Sequence, residues 1–597
     1  MMKIAFILLI GLCSTFEFGS NDESIFYGNY TTADNKRVNL LPPTRNQNQP
    51  KACDASWAFA TTTTISTLFN LQKKGAFPEI VLSPQMLINC SPQDVDFSCE
   101  YNKSKISIET VLKHLTDNGV TDESCNNYHA SDEKSCSDLN ICKDCHNGED
   151  IHKKPVCTPV PHRIYKLKSF AKIVSDKTNP TDKFTDLKTQ IINALKQGPL
   201  LCNINHSEDL IARRDNKPSL FVERDAAKLD YNTWVSLIGY GFIGGDKDNI
   251  TPVWALQLSF GENVGYYGIT FLSAKDGDNS NSILDNCYTL AVQAEPTNVQ
   301  QSTRSFVNSI LADKGVKTIN RPNKNHLNQG LKLGFTSKKF NEGLMISNDE
   351  APINWQNFEG TNYLTWVKNQ HIPTYCGSCW AQAAASVLAD RLNIQRIKVG
   401  KVFPKVNASV QAIINCKEGG SCFGGDSTML FQKAEQWKVP IESCQTYQAV
   451  NPNDFECPAV NVCSNQSRDK QYVFEKYTGI KVTEWGRARG SAAIKAALKD
   501  GPIVCDFEVT DEFVAYAKIP GDKLNIWTKQ NEFIAINHAV SVVGWGKQDD
   551  AEYWIVRNSW GREWGYDGFF YIKAGDNLLG IESECSWAKV QSETFDQ

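Results

Sequence analysis

The chain contains itself twice, and no other feature limits its fold as strongly. Asn46-Gln47-Asn48-Gln49-Pro50-Lys51-Ala52-Cys53-Asp54-Ala55-Ser56-Trp57-Ala58 aligns without a gap on Asn369-Gln370-His371-Ile372-Pro373-Thr374-Tyr375-Cys376-Gly377-Ser378-Cys379-Trp380-Ala381. Later runs match in the same order. Leu87-Ile88-Asn89-Cys90 pairs with Ile413-Ile414-Asn415-Cys416, and Asp122-Glu123-Ser124-Cys125 with Ile441-Glu442-Ser443-Cys444. Gly198-Pro199-Leu200-Leu201-Cys202 pairs with Gly501-Pro502-Ile503-Val504-Cys505. Each copy has the length of a whole domain, so this is tandem duplication and not a short-period solenoid. The 597 residues divide into 1–20, a short segment 21–42, a first copy 43–297, a connection 298–350 and a second copy 351–597. That length is too great for one ordinary domain.

The second copy carries the chemistry. Ala381, Ala383, Ala384, Ala385, Leu388 and Leu392 favour helix, which places Cys379 at a helix N-terminus. Unpaired N–H groups and the helix dipole favour an anion there, so the thiol is expected to ionise more easily. Cys376 and Cys379 alone could equally be a structural disulfide or half a zinc site. Two further runs argue against that. Asn537-His538-Ala539-Val540 leads into an apolar stretch ending at Gly544-Trp545-Gly546. Tyr553 to Gly561 then contains Arg557-Asn558-Ser559-Trp560. Alternation in Ala539-Val540-Ser541-Val542-Val543 and Tyr553-Trp554-Ile555-Val556 suits strands.

The run Cys376-Gly377-Ser378-Cys379-Trp380, followed by His538 and then Asn558, resembles the papain family of cysteine proteases. The resemblance implies an α+β fold: two tandem domains, each with a helical lobe, a β-barrel-like lobe and a cleft between them. It implies that Cys379 attacks the peptide carbonyl, with His538 as its acid–base partner. Asn558 would orient His538, Trp560 would shield that bond, and Gln370 with the Cys379 N–H would hold the oxyanion. Gly424 and Gly425 would let substrate backbone lie close. It further implies the bridges Cys376–Cys422, Cys416–Cys457, Cys444–Cys463 and Cys505–Cys585, with Cys379 free. Gln370-His371-Ile372-Pro373 resembles a carboxypeptidase branch of the family. A cationic His371 there could pair with a substrate's terminal carboxylate. An endopeptidase, or a pseudoenzyme that binds peptides or a partner protease, are the alternatives. That branch carries a propeptide cysteine that blocks the nucleophile, and residues 298–375 contain none.

The first copy has lost this set. Ser56 stands at the position of Cys379, Thr233 at that of His538 and Leu258 at that of Asn558. A serine nucleophile needs a neighbouring base, and threonine is none near neutral pH. A converted serine protease is therefore the weaker reading. A binding, regulatory or chaperone-like role is favoured, with an inert remnant close behind. Cys99 is followed by Glu100-Tyr101 where the second copy has Gly424-Gly425 after a Phe. The first copy holds ten cysteines and the second nine, which suits all-paired cysteines in one and a single free thiol in the other.

The surroundings fit a secreted chain. Met1-Met2-Lys3 and the apolar run Ile4–Leu12 read as a signal peptide, too short to span a membrane. Twenty cysteines then imply disulfides. Asn29, Asn102, Asn205, Asn407 and Asn465 begin possible glycosylation tripeptides. The net charge of −5 gives no case for nucleic acid or membrane partners. No paired C-x-x-C set has zinc spacing, so no metal or other cofactor is expected. Peptides or proteins are the expected partners, in a lysosome, another acidic vacuole or the extracellular space. The cysteine-free connection, rich in Gln, Asn and Lys, reads either as a propeptide over the second cleft or as a passive tether.

Overall fold

The computed structural model describes residues 24–299 and 351–593, apart from 93–94, 96, 101–104, 133–134, 148–154, 216, 223–228, 230, 245–249, 277, 453–456, 468–469, 520–522 and 532–533. The expected signal segment and nearly all of the connection lie outside the described residues. Residues 298–299 belong to strand Thr297–Val299, paired with His162–Ile164 of the first copy.

Each copy is built on one long helix, Ser56–Gln72 in the first and Cys379–Lys398 in the second. Trp380 through Ile394 are all buried, as expected of a helix packed on every side. In the second copy small alanines allow that packing. The first copy has Thr61, Thr62, Thr63 and Thr64 there, and must satisfy their hydroxyls. Thr61, Thr62, Thr64, Ser66 and Thr67 each donate to the carbonyl four residues earlier, at 2.6–2.9 Å.

Beside each helix lies a mostly antiparallel sheet. In the first copy the strand order is Ile269–Ser273, Thr251–Gln257, Tyr231–Ile243, Leu200–His206, Cys287–Val292, Leu167–Lys172, with Ile25–Phe26 against Tyr231–Ile243. In the second it is Val439–Pro440, Gly479–Ala488, Glu584–Glu593, Ile503–Phe507, His538–Gln548, Ala551–Arg557, Phe569–Lys573, Ile526–Trp527, with Ile353–Asn354 against His538–Gln548. Both are open sheets, so the expected β-barrel-like lobes are not formed. Closure requires the outermost strands to pair with each other. In the second copy those are two-residue strands, Val439–Pro440 and Ile526–Trp527, each bonded only to its inner neighbour in the sheet. The architecture is α+β with two open sheets.

Five disulfides tie the first copy: Cys53–Cys99, Cys90–Cys136, Cys125–Cys142, Cys145–Cys157 and Cys202–Cys287. Cys376–Cys422, Cys416–Cys457, Cys444–Cys463 and Cys505–Cys585 tie the second, and Cys379 is free. Two of the glycosylation tripeptides are corrected by burial. Asn407 is 2% exposed and Asn465 1% exposed, and Asn465 Nδ2 donates to Phe260 O at 2.9 Å in the other copy. Neither side chain is open to a glycosylating enzyme in this fold. Asn102 lies outside the described residues.

The two copies meet across a reciprocal seam. Asn46 Nδ2 donates to Ser443 O at 3.2 Å, and its equivalent Asn369 Nδ2 donates to Ser124 O at 3.1 Å. Glu262 N–H donates to Ser443 Oγ at 2.9 Å, and Arg562 N–H to Ser124 Oγ at 3.0 Å. Ser124 and Ser443 are themselves equivalent, so each contact occurs once in each direction. This is the pattern of an isologous dimer. Gly261 (φ +83°) and Gly561 (φ +81°) lie against those serines. A Cβ on Gly261 would stand 3.3 Å from Ser443 Cβ, and one on Gly561 3.2 Å from Ser124 O.

The charges break the symmetry. Arg562 Nη1 pairs with Asp122 Oδ2 at 2.7 Å, with both side chains buried, whereas the equivalents are Glu262 and Ile441. Glu262 is buried and its Oε2 has no hydrogen-bond partner.

Candidate active site

Cys379 is the first residue of its helix, after Ser378. Ser378 Oγ and Tyr447 Oη lie 2.7 Å apart, and the Tyr447 hydroxyl also lies 2.8 Å from Gln370 O. That links the turn before the nucleophile to the loop carrying Gln370. Gln370 is fixed at both ends of its amide. Its Oε1 accepts from Ser559 Oγ at 2.7 Å, so its Nε2 faces Cys376, donating to that carbonyl at 3.2 Å. An amide N–H held beside the nucleophile turn is what an oxyanion donor requires.

His538 opens strand His538–Gln548, opposite Phe507 of Ile503–Phe507. Its Nε2 lies 2.8 Å from Asn558 Oδ1, which also accepts from Ser559 N at 2.8 Å. The amide oxygen can only accept, so Nε2 carries the proton and Nδ1 is the nitrogen left for acid–base work. Asn558 N in turn donates to Gly568 O at 2.9 Å, which anchors the residue. The Trp560 ring lies 5.1 Å from the His538 ring, tilted by 34° to it.

Electrostatics differ from the helix-terminus expectation. Burial pushes the Cys379 thiol up to about 11, and Asp506 adds to that. Backbone N–H groups of Ala539, Trp380 and Cys379 pull the other way, the last two being the helix N-terminus itself. Burial pushes His538 down to about 4, against the bond to Asn558, and the nearby His371 lowers it further. Singly, both groups favour their neutral forms.

Gly424 and Gly425 pair with Ser421 and Gly420 in a short hairpin beside Trp380. A Cβ on Gly425 would stand 2.4 Å from the Trp380 ring, so packing alone demands glycine there. His371 is not an exposed loop residue. It is 4% exposed, stacks on Tyr375 at 5.4 Å and on Trp560 at 6.1 Å, and its Nδ1 lies 3.0 Å from Asp144 Oδ1 of the first copy.

The first copy keeps the frame without the set. Gln47 repeats the Gln370 bonds, donating to Cys53 O at 3.0 Å and accepting from Ser259 Oγ at 2.6 Å. Ser56 Oγ accepts from Trp234 N at 3.2 Å, and Leu258 N donates to Gly268 O at 2.9 Å as Asn558 does to Gly568. One feature escaped the sequence reading: an imidazole returns from the neighbouring strand. His206 Nε2 lies 2.6 Å from Thr233 Oγ1, and its Nδ1 lies 2.7 Å from Ser207 O. The carbonyl holds the proton on Nδ1, so the neutral ring accepts from the threonine hydroxyl. Ser56, Thr233 and His206 are 3%, 4% and 0% exposed, so this site is closed. His206 lies on the strand preceding the expected histidine position, where no motif marks it. Asp144 was missed for a similar reason: it comes from the other copy.

Among the described residues no group of three or more His, Cys, Asp or Glu is placed to hold a metal ion. No helix among them is long and apolar enough to cross a membrane.

The sequence pattern of the family described as papain family cysteine protease matches residues 31–289 and 351–589. Cathepsin Z of Onchocerca volvulus is 36% identical over 252 residues, covering 40% of this chain and 78% of that protein. Cathepsin B-like cysteine proteinase 4 of Caenorhabditis elegans is 26% identical over 263 residues, covering 40% of this chain and 74% of that protein. A solved structure of bromelain protease from Ananas comosus with the E64 inhibitor is 25% identical, covering 40% of this chain and 98% of that chain, with a TM-score of 0.31.

Proposed function

The chain belongs to the papain family of cysteine proteases, and from that premise we propose that its second copy hydrolyses peptide bonds and carries in His371 an anchor for peptide C-termini, while the first copy catalyses nothing. The carrying observation is the ordered set of Cys379 at its helix N-terminus and His538 bonded at 2.8 Å to a doubly anchored Asn558. His538 takes the Cys379 proton on Nδ1 as the sulfur attacks the carbonyl carbon. The oxyanion is held by Gln370 Nε2 and the Cys379 N–H. The imidazolium then gives its proton to the leaving amine. A water, deprotonated by His538, releases the acid and restores the thiol.

The choice of C-termini rests on His371. The Trp560 ring neighbours both imidazoles, 6.1 Å from the His371 ring and 5.1 Å from the His538 ring. A protonated imidazole at that distance from the chemistry suits a terminal carboxylate one residue beyond the cut, and suits an acidic compartment. The likeness to cathepsin Z over 252 residues agrees with the branch resemblance carried by Gln370-His371-Ile372-Pro373. The non-catalytic first copy is supported by Ser56, Thr233 and Leu258 at the three positions and by their burial.

A Cys379→Ala chain lacking residues 1–20 should lose all peptidase activity and all thiol alkylation under non-reducing conditions; activity that survives would sink the reading of the second copy as sole catalyst. For the choice of ends, an Asp144→Ala chain, which relieves His371 of its carboxylate partner, should remove single residues from free C-termini. Adding His371→Ala should abolish that preference. Internal cuts as the main products would leave an endopeptidase.

A further inference from the structure

One contact across the seam reaches the chemistry. Asp144 lies on strand Lys143–His146, which pairs with Val156–Pro159 and is joined to it by the Cys145–Cys157 disulfide. The carboxylate is thus presented from a cross-linked hairpin. Its Oδ1 is 3.0 Å from His371 Nδ1, with side-chain exposures of 8% and 5%. Cys145 Sγ lies 3.6 Å from Pro373 O, so the hairpin also touches the loop that carries His371. His146 stands beside them, buried, with Nδ1 lacking a hydrogen-bond partner. Burial lowers its pKa, as does His371, while Asp144 raises it.

We propose that Asp144 is a specificity-determining residue of the peptidase. On His371 it takes the place that a substrate's terminal carboxylate would take, so that the joined two-copy chain does not select free C-termini. The proposal rests on the reading of His371 as the carboxylate anchor. Three arguments carry it. The Nδ1 hydrogen of His371 is already engaged by a carboxylate oxygen. A second carboxylate arriving at a buried, water-poor pair meets the charge of Asp144 as well as that of His371, and the two oppose each other. Finally, the pair does not follow from the duplication alone. By the alignment of Cys142 with Cys463, Asn465 is the equivalent of Asp144, and Asn48 is the equivalent of His371. The mirrored positions therefore hold two neutral amides. The imidazole of the pair belongs to the copy that keeps the thiol.

The test compares four full-length chains: wild type, Asp144→Ala, Asp144→Asn, and Asp144→Ala with His371→Ala. Each is assayed on one peptide with a free C-terminus and on the same peptide amidated. The readout is the ratio of kcat/KM for acid over amide. The proposal expects a ratio near one for wild type. For Asp144→Ala it expects a rise of about tenfold or more, the range of a charge-assisted hydrogen bond. The rise should vanish in the double variant. Asp144→Asn keeps the shape and removes the charge; a ratio between wild type and Asp144→Ala supports the proposal. A wild type that prefers the free acid as strongly as Asp144→Ala overturns the proposal and leaves the carboxylate anchor standing. A wild type whose preference is lost in Asp144→Ala overturns it too, making Asp144 a support of His371. No preference in any of the four overturns the anchor and the proposal together. Thermal unfolding of each chain separates these outcomes from misfolding, since the disulfide holds the hairpin in every variant.

Discussion

Gln370 has its amide oxygen tied to Ser559, so its nitrogen has one direction in which to point. Gln370→Ala is therefore expected to lower kcat/KM by about 10²-fold, the cost of losing one oxyanion donor, with little change in thermal stability. Steady-state kinetics beside a melting curve checks this; a loss of less than about threefold would remove Gln370 from the chemistry. Asn558→Ala should also lower kcat/KM, because the neutral His538 ring would lose the acceptor that sets its tautomer. How much of this was legible beforehand varied with the residue. Cys379, His538 and Asn558 each sit in a local run that identifies them. Asp144 and His206 do not, because folding alone brings them to their partners. The thiol showed a different failure: the helix terminus was visible in the sequence, but the burial that opposes it was not. Asn407 and Asn465 failed as glycosylation sites in the same way, through burial that a tripeptide cannot reveal.

The helix that carries Cys379 and the strand that precedes Asn558 are locked by one buried cluster. Arg557 Nη2 lies 2.5 Å from Asp390 Oδ2, and Asp390 Oδ1 accepts from Thr365 N and Oγ1 at 2.7 and 2.9 Å. Both charged side chains are essentially excluded from solvent. Asp390→Ala would leave the Arg557 charge buried and unpaired. The expected loss is about 3–5 kcal/mol, measured by chemical denaturation of the full-length chain. A loss below about 1 kcal/mol would mean that water or a neighbour replaces the carboxylate. The first copy holds neutral groups at both positions and does not repeat the join: Thr67 stands at the position of Asp390 and donates within its own helix, and Gln257 stands at that of Arg557. Gln257 Nε2 donates to Pro42 O at 3.0 Å. The long helices and strands could be read from alanine content and alternation. Sheet closure could not, since it depends on whether two-residue edge strands reach each other, and no side-chain pattern records that.

Between the copies, the unpaired counterpart of the Arg562–Asp122 pair is Glu262. Burial raises its carboxyl to about 8 from 4.5, with Glu442 adding to the rise and Arg396 opposing it. A raised pKa means that the group's contribution is complete below about 4.5 and is lost as pH climbs to about 8. Glu262→Gln should therefore melt close to wild type near pH 4 and well above it near pH 8, by a margin on the order of a few kcal/mol. A gap that stays constant with pH would mean that Glu262 does not titrate in the fold. The reciprocal hydrogen bonds around Ser124 and Ser443 have a further consequence. Two separate polypeptides held by such a surface would obey mass action and part on dilution. Encoded in one chain, they meet at an effective concentration of roughly millimolar, however little protein is present. Their stoichiometry is fixed at one to one by inheritance. Any influence of Asp144 on the cleft is then independent of expression level, until the connecting peptide is severed.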